Sequence, residues 1–337
     1  LYSVDVSSFN VFKSASVYPI IILGLNKNTV VKEFKELLLE KYEDLSLRDF
    51  KLPTKLRSHR LFIDSKIRIG SGATGFEAQK IKGLLTEESY KGSIPFVVSG
   101  NIDRYTFTNK DVRYMGNKYS KAFIRNNGEI AGSKWAFWSS PKIVIAGMTK
   151  KIEAVFVKEP LGLGVGVYAI FDWGKHNPQY ITALLNSKYL SYYMTIKYKD
   201  KHLAGGYLAI NKSTIEGLPF IECNSENVFN ALVDYIIFLN SNLKESPINE
   251  FVPNSHIIQL FEEVIDALVY ELYFDEDFKK AGISFMKFAE RDFKRIDGKN
   301  EKEAIKIIRD AYQKLREKDN EIRQNLKLMD TRLADLI

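Results

Sequence analysis

Six consecutive residues have a spacing that could bind a phosphate. Gly70-Ser71-Gly72-Ala73-Thr74-Gly75 matches GxGxxG, and it follows a strand-like run and precedes a possible helix, as in dinucleotide-binding loops. No βαβ unit is evident after it, and the nearest acidic residues, Glu87 and Glu88, follow too soon to bind a ribose. The alternative is a tight turn in which the glycines adopt positive φ, and the sequence favours this structural interpretation.

A second short segment has two interpretations. Asn177-Pro178-Gln179-Tyr180 differs by one residue from the NPPY tetrapeptide with which amino-methyltransferases hold the target amine. In those enzymes the tetrapeptide ends a buried strand, whereas here it follows a polar loop and precedes an apolar run with helical spacing. Asn177 as a helix N-cap with Pro178 at the first helical position accounts for the same residues.

Basic residues mixed with aromatic ones form the third candidate site. Guanidinium and ammonium groups neutralise phosphates, and Arg can contact base edges through two hydrogen bonds. The sequence predicts DNA contacts from twelve residues: Arg104, Arg113, Lys118, Lys121, Arg125, Lys134, Lys150, Lys151, Lys197, Lys199, Lys201 and His202.

The net charge of the chain is concentrated in the segment that contains these residues. The 337 residues carry a formal charge of +7. Residues 51–222 hold 26 basic and 13 acidic side chains, whereas residues 1–50 hold 6 and 7 and residues 223–337 hold 17 and 22. A positive surface confined to one domain is typical of a protein that binds a polyanion.

Recognisable catalytic motifs are otherwise absent from the sequence. It contains no P-loop, no HExxH, no GxSxG and no EF-hand loop. The single cysteine, Cys223, excludes an internal disulfide, and four scattered histidines disfavour a metal site. The pattern indicates binding without catalysis, no cofactor in this chain, and a reducing, cytoplasmic location.

Hydrophobic periodicity predicts an α+β protein in three segments. Residues 1–50 combine β-type runs within 9–25 and a helix over Thr29–Tyr42 as the end of an upstream α/β domain. Residues 51–222 form a mixed β-sheet domain with helical spacing at 76–86 and 178–196. Residues 223–337 are helical.

The end of the helical segment has a heptad pattern. Its apolar positions are Ala304, Ile308, Ala311, Leu315, Ile322, Leu326, Met329, Leu333 and Leu336. Only Lys318 and Asp319 interrupt this stripe. The pattern predicts one long helix from about residue 301 that pairs antiparallel with the helix over Ser255–Tyr273, as in a coiled coil, with a dimeric coiled coil as the alternative.

The start of the chain indicates a piece of a longer protein, because it opens without methionine and enters strand-like sequence almost at once. The apolar run Val17–Leu25 is too short to span a bilayer and lacks the flanks of a signal peptide. We therefore expect upstream domains and no membrane association.

In one order along residues 57–222, the chain has the segments IGSGATGFEA, IPFVVSGNIDRY, VRYM, KIVIAGMTKKIEA, GVGVYAI, YITALLNSKYLSYY and IEGLPF. This series resembles the TaqI-like target-recognition domain of N6-adenine DNA methyltransferases and type IIG restriction-modification enzymes. The flanking segments are similar to the closing β-hairpin of the methyltransferase domain and to the helical tail of the fused enzymes.

The resemblance implies a module that recognises double-stranded DNA and directs an adenine-N6 methyltransferase, with a fused endonuclease, to its target. It implies upstream methyltransferase and nuclease domains in the same polypeptide, S-adenosylmethionine for methylation and Mg²⁺ for cleavage. The methyltransferase's own glycine motif and a true NPPY have no counterpart here. Two alternatives remain: an enzyme domain that binds S-adenosylmethionine or a nucleotide through residues 70–75, and a DNA-binding scaffold like a type I specificity subunit.

Overall fold

The fold is given by a computed structural model that describes residues 59–198, 202–203, 206–242, 248–249, 251–334 and 336, and the backbone of three short strands nearer the start. The strands are β1 Tyr2–Asp5, β2 Ile20–Leu23, β3 Lys35–Leu38, β4 Arg68–Ser71, β5 Leu85–Thr86, β6 Ser93–Val97, β7 Ile102–Asp103, β8 Thr106–Phe107, β9 Lys110–Tyr114, β10 Asn117–Lys121, β11 Phe123–Arg125, β12 Lys142–Ala146, β13 Met148–Thr149, β14 Ala154–Val157, β15 Gly162–Leu163, β16 Val167–Asp172, β17 His202–Leu203 and β18 Tyr207–Ala209.

Helices predominate in the second half of the described chain. They are α1 Ala78–Leu84, α2 Gly132–Ser139, α3 Pro178–Asn186, α4 Lys188–Lys197, α5 Lys212–Glu216, α6 Glu226–Asn242, α7 Asn254–Tyr273, α8 Asp275–Ala281, α9 Met286–Asp292, α10 Glu301–Arg316 and α11 Glu321–Arg332. The predicted α+β class is confirmed. None of the helices in the described ranges is long and apolar enough to cross a bilayer.

The three strands nearest the start form one small sheet. Strand β1 pairs antiparallel with β2 and parallel with β3. The predicted helix over Thr29–Tyr42 is therefore wrong at Lys35–Leu38, where pairing with β1 gives a strand despite the helical spacing of apolar residues. The part of the predicted β-type runs that precedes Ile20 lies outside the described residues.

A four-stranded sheet in the order β14-β12-β16-β4 separates two hydrophobic cores. In β12, Ile143 and Ile145 face the larger core, and Val144 and Ala146 face the smaller one. All four side chains are buried because both faces of the sheet are covered, which explains the uninterrupted apolar run in this strand.

The larger core extends from the sheet into the helices. Helix α3 packs on β14 and on α6, and α6 packs on α7. The sequence predicts one helix over residues 178–196, but Ser187 separates α3 from α4. The Ser187 hydroxyl accepts a hydrogen bond from Leu190 N and so caps α4. One continuous set of buried side chains thus joins the strand-rich part to the helical part.

The predicted single helix at the end of the chain is wrong, because it is divided at residues 317–320 into α10 and α11. Asn320 caps α11 by accepting from Arg323 N at 3.0 Å, and its amide lies 3.3 Å from the buried Asp292 carboxylate. Lys314 of α10 approaches the same carboxylate to 2.6 Å. The break follows the interruption of the heptad at Lys318 and Asp319, and α11 packs on α7 and α9.

Candidate nucleic-acid interface

Strands β9 and β10 form a hairpin that has one buried face. Val112, Tyr114 and Tyr119 point into the smaller core, where the Tyr114 ring packs edge-on against Phe96 at 5.3 Å. Burial raises the pKa of Tyr114 to about 12, so this phenol is neutral at physiological pH. The buried face fixes the hairpin on the domain and leaves the opposite face to solvent.

The hairpin turn has a defined conformation. Met115 and Gly116 have φ of 47° and 84°, the left-handed values required at both central residues of a two-residue type I′ turn. Lys82 Nζ donates to Met115 O at 2.9 Å, which connects the turn to α1, and the Met115 side chain remains 40% exposed. A positive φ at a non-glycine residue is costly, so the surrounding contacts must maintain it.

Basic side chains face one another across the hairpin. Lys118 pairs directly with Arg113, and Lys121 with Lys110. All four are exposed, and none forms an ion pair within the part of the chain that the structure describes. Like charges placed opposite each other destabilise a β-ladder. An anionic ligand that contacted these side chains would lower that cost.

Further predicted residues extend the exposed positive charge beyond the hairpin. Arg125 is exposed at the end of β11, and Lys150 and Lys151 are exposed after β13. Lys150 Nζ lies 5.6 Å from the centre of the Tyr207 ring, which is itself 41% exposed. These residues, like Arg113, Lys118 and Lys121 of the hairpin, remain predicted DNA contacts, whereas Lys110 was not among the predicted residues.

Arg104 requires a correction, since its side chain is only 11% exposed and faces α7, with Nε 3.6 Å from Glu262 Oε1. Burial raises the pKa of Glu262 above its ordinary value, and the charge of Arg104 offsets only part of this rise. The adjacent Tyr105 is fully buried. Arg104 therefore joins the strand-rich part to the helical part and is not available to bind phosphate.

Replacing Arg104 with alanine is expected to lower the free energy of unfolding by about 2 kcal/mol, because Glu262 would then be mostly buried without its partner. Duplex DNA affinity of the folded variant should stay within about twofold of wild type. Thermal melting and DNA titration test this, with Lys118→Ala as the matched variant that should keep its stability and lose affinity. An unchanged melting temperature with weakened DNA binding would return Arg104 to the interface.

Two other predicted contacts are engaged within the chain. Lys134 Nζ donates to Ser71 O and Gly72 O, both at 3.2 Å, and its side chain is 18% exposed. Lys197 Nζ donates to Gly217 O at 2.8 Å. Lys134 thus has a mainly structural role, contrary to the prediction. Lys199, Lys201 and the side chain of His202 lie outside the described residues.

The glycine motif is a packing feature. Gly72 N donates to Val167 O at 2.7 Å, and Trp138 Nε1 donates to Gly72 O at 3.0 Å. Thr74 N donates to the Glu77 carboxylate at 2.7 Å, which places a negative charge where a phosphate would lie. None of these glycines has a positive φ, so the predicted reason for them is wrong. The contacts do not favour a nucleotide at this loop.

Alanine substitutions can show which glycines of this motif are required by close packing. A Cβ at Gly72 would lie 2.5 Å from Leu163 Cβ and 3.0 Å from two carbonyl oxygens, whereas a Cβ at Gly75 would meet no atom within 4 Å. Gly72→Ala should therefore cost about 1 to 3 kcal/mol of stability, and Gly75→Ala close to none. Chemical denaturation of both variants measures the difference. Equal midpoints would contradict the packing described.

The predicted helix start at Asn177 is confirmed, with Pro178 at the first position of α3. The Asn177 side chain makes no cap hydrogen bond. Instead, Asn177 N donates to Glu226 Oε2 at 2.7 Å, and His176 Nδ1 lies 2.7 Å from Glu226 Oε1. A carboxylate 49 residues away thus caps the helix, and the residues of the tetrapeptide are accounted for structurally.

Sequence reasoning missed a cavity of about 700 Å³ beside the root of the hairpin. It is lined by residues of the 3₁₀ helix 99–101, β7, β8 and the loop after β13, including Asn101, Glu153 and Tyr207. Asn101 Nδ2 donates to Lys110 O at 2.9 Å, which connects the cavity wall to β9. The described residues contain no cluster of three or more His, Cys, Asp or Glu suited to a metal ion.

Comparisons with known proteins give little. No family model matches the chain, and no curated protein matches it. Among solved structures, the chain is similar to the type IIL restriction-modification enzyme MmeI in complex with DNA, at 14% identity and a TM-score of 0.35, over 76% of this chain and 35% of that one. The chain thus spans about a third of the MmeI chain. A similarity this low leaves the function to be argued from the residues themselves.

Proposed function

We propose that residues 51–222 form a module that recognises double-stranded DNA. The observation that carries this proposal is the hairpin in which Arg113 lies opposite Lys118 and Lys110 opposite Lys121, all four exposed and without an ion pair in the described part of the chain. Phosphates are the ligands that suit two adjacent pairs of unneutralised cations. The excess of 13 positive charges in residues 51–222 supports the same ligand.

The shape of the hairpin suits a groove of the duplex, because the major groove admits a two-stranded β-ribbon. Arg113 and Lys118 lie on its exposed face, close to a turn of defined geometry. In this arrangement the lysines bind phosphates and fix the register, and Arg113 can reach a base edge. A rigid hairpin held by its buried face loses little conformational entropy on binding.

The biological context that we propose rests on the sequence resemblance. The module would direct an adenine-N6 methyltransferase, with a fused endonuclease, to its target sequence. S-adenosylmethionine and Mg²⁺ would then be bound by those other domains. The helical part, which is joined to the module through the larger core, would keep it at a fixed position relative to them.

Titration of this chain with a labelled duplex over a range of salt concentrations tests the proposed function. If six to ten phosphates are neutralised, affinity should fall roughly 10³- to 10⁵-fold between 50 and 200 mM salt. Single-stranded DNA and heparin are the comparison ligands, and a duplex containing the target sequence should be retained at the highest salt. A chain that retards no duplex at low salt would contradict the proposal.

A further inference from the structure

The cavity beside the hairpin is lined by basic, acidic and aromatic side chains. Lys150 and Lys151 line it together with the carboxylates of Asp103 and Glu153. Phe107 and the exposed ring of Tyr207 supply aromatic surface. Strand β18 pairs with β13, so that Tyr207 lies beside Lys150. A ligand that suits this cavity has a flat ring and a neighbouring negative charge.

Glu153 is a polar group of this cavity without a partner among the described residues. Its side chain is half-buried, and its carboxylate makes no hydrogen bond or ion pair with any residue that the structure describes. Its backbone is fixed, because Ala146 N donates to Glu153 O at 3.0 Å and the next residue, Ala154, is hydrogen-bonded through N and O to the Asn186 side chain, both at 2.8 Å. The backbone that carries this carboxylate is therefore fixed, and the carboxylate itself has no partner among the described residues.

The surroundings of Glu153 oppose its ionisation. Burial raises its pKa to about 7, the charge of Asp103 adds to this effect, and Lys151 and Arg104 act against it. These three groups come from β7, the loop that follows it and the loop after β13. A hydrogen-bond donor that entered the cavity would stabilise the ionised form.

We propose that Glu153 recognises a DNA base that presents an amino group, the N4 amine of cytosine or the N6 amine of adenine, at this cavity. A carboxylate accepts from such an amine and cannot accept from the carbonyl groups of guanine and thymine. Lys150 and Lys151 bind the phosphates next to this base. The inference rests on the proposed function and adds a specificity-determining residue to it.

Selection from a pool of duplexes with randomised positions, at pH 8.5, tests this assignment. Wild type should prefer cytosine or adenine at one position by roughly tenfold to hundredfold. Glu153→Ala, which removes the acceptor, should lose the preference at that position alone. Glu129→Ala, at an exposed carboxylate elsewhere in the module, is the matched control and should select as wild type does.

The outcomes separate the two proposals. Absence of duplex binding by wild type would overturn the proposed function, whereas duplex binding with the same base preferences in wild type and Glu153→Ala would overturn only the role of Glu153. The preference of wild type should also weaken at pH 6, since the protonated carboxyl group gains an O–H donor that can bind the carbonyl groups of guanine and thymine. A preference that is equal at both pH values would contradict the assignment.

Stability gives an independent readout of the same residue. Because the folded pKa of Glu153 lies above its ordinary value, the folded state is disfavoured once pH exceeds both values. Glu153→Gln should therefore melt at a higher temperature than wild type at pH 8.5, with the difference shrinking towards pH 5. A lower melting temperature at pH 8.5 would show that Glu153 stabilises the fold, and would contradict an unpartnered carboxylate kept for a ligand.

Discussion

Replacement of Lys110, Arg113, Lys118 and Lys121 together by glutamine is expected to lower the affinity for duplex DNA by about 10³-fold at 0.1 M salt. Each phosphate contact contributes about 0.9 to the slope of log affinity against log salt, so the loss of three lysine contacts removes about 2.7 from that slope, and the loss of the Arg113 base contact lowers the affinity further. The side chains are exposed and lie opposite like charges. The variant should therefore fold at least as stably as wild type.

The measurement is a salt titration of binding by anisotropy, paired with thermal melting. The matched control replaces four exposed lysines of the helical part, Lys280, Lys299, Lys302 and Lys306, with glutamine. It removes the same net charge from the chain, so it tests whether the position of the charge or only its sum determines affinity. Equal losses in both variants would exclude the hairpin as the interface.

Some features of this surface follow from sequence and others depend on tertiary structure. The excess of basic residues in residues 51–222 is a property of composition, and it is visible before any fold is known. The hairpin is harder to predict from the sequence. Its two strands have only five residues each, so the alternation of apolar and polar residues is short, and Asp111 interrupts it with a φ of 52° within β9. Its turn is Met-Gly, where the common sequence signal is Asn-Gly or Asp-Gly.

Individual basic residues cannot be sorted by local sequence. Arg104 and Arg113 both precede a tyrosine in a stretch of mixed charge, yet Arg104 faces Glu262 of α7 and Arg113 faces solvent. The difference is set by a helix about 150 residues further along the chain. Glu153 illustrates the same limit, because its unpartnered state is a property of the cavity around it.

Two predictions were wrong for related reasons: the single helix at the end of the chain and the positive φ of the glycines in residues 70–75. The apolar stripe at the end of the chain was predicted correctly within α10 and within α11, where Ile308, Leu315 and Ile322 are buried. Periodicity does not reveal that Asp292 and the Asn320 cap bend the chain between them. At Gly72, the constraint is contact with Leu163, 91 residues away, and not the local backbone conformation.

The shared core implies that the strand-rich and helical parts are not energetically independent. Phe229 of α6 is fully buried, and its ring centre lies 5.0 Å from that of Tyr180 in α3. Arg104 and Glu262 join the two parts at a second place. Loss of packing in one of these helices should therefore also destabilise the sheet, because α3 packs on β14.

Phe229→Ala is accordingly expected to cost about 3 to 5 kcal/mol of unfolding free energy, as a large side chain is removed from a closed core. All three tryptophans, Trp135, Trp138 and Trp173, lie in the strand-rich part, so their fluorescence reports on it, while far-UV circular dichroism reports mainly on the helices. Both signals should shift together to one lower midpoint. Phe251→Ala, at a ring that is 90% exposed, is the control and should leave both unchanged. If the tryptophan transition kept its wild-type midpoint while the helical signal shifted, the two parts would be independent domains, and the helical part could not hold the DNA-binding surface in place.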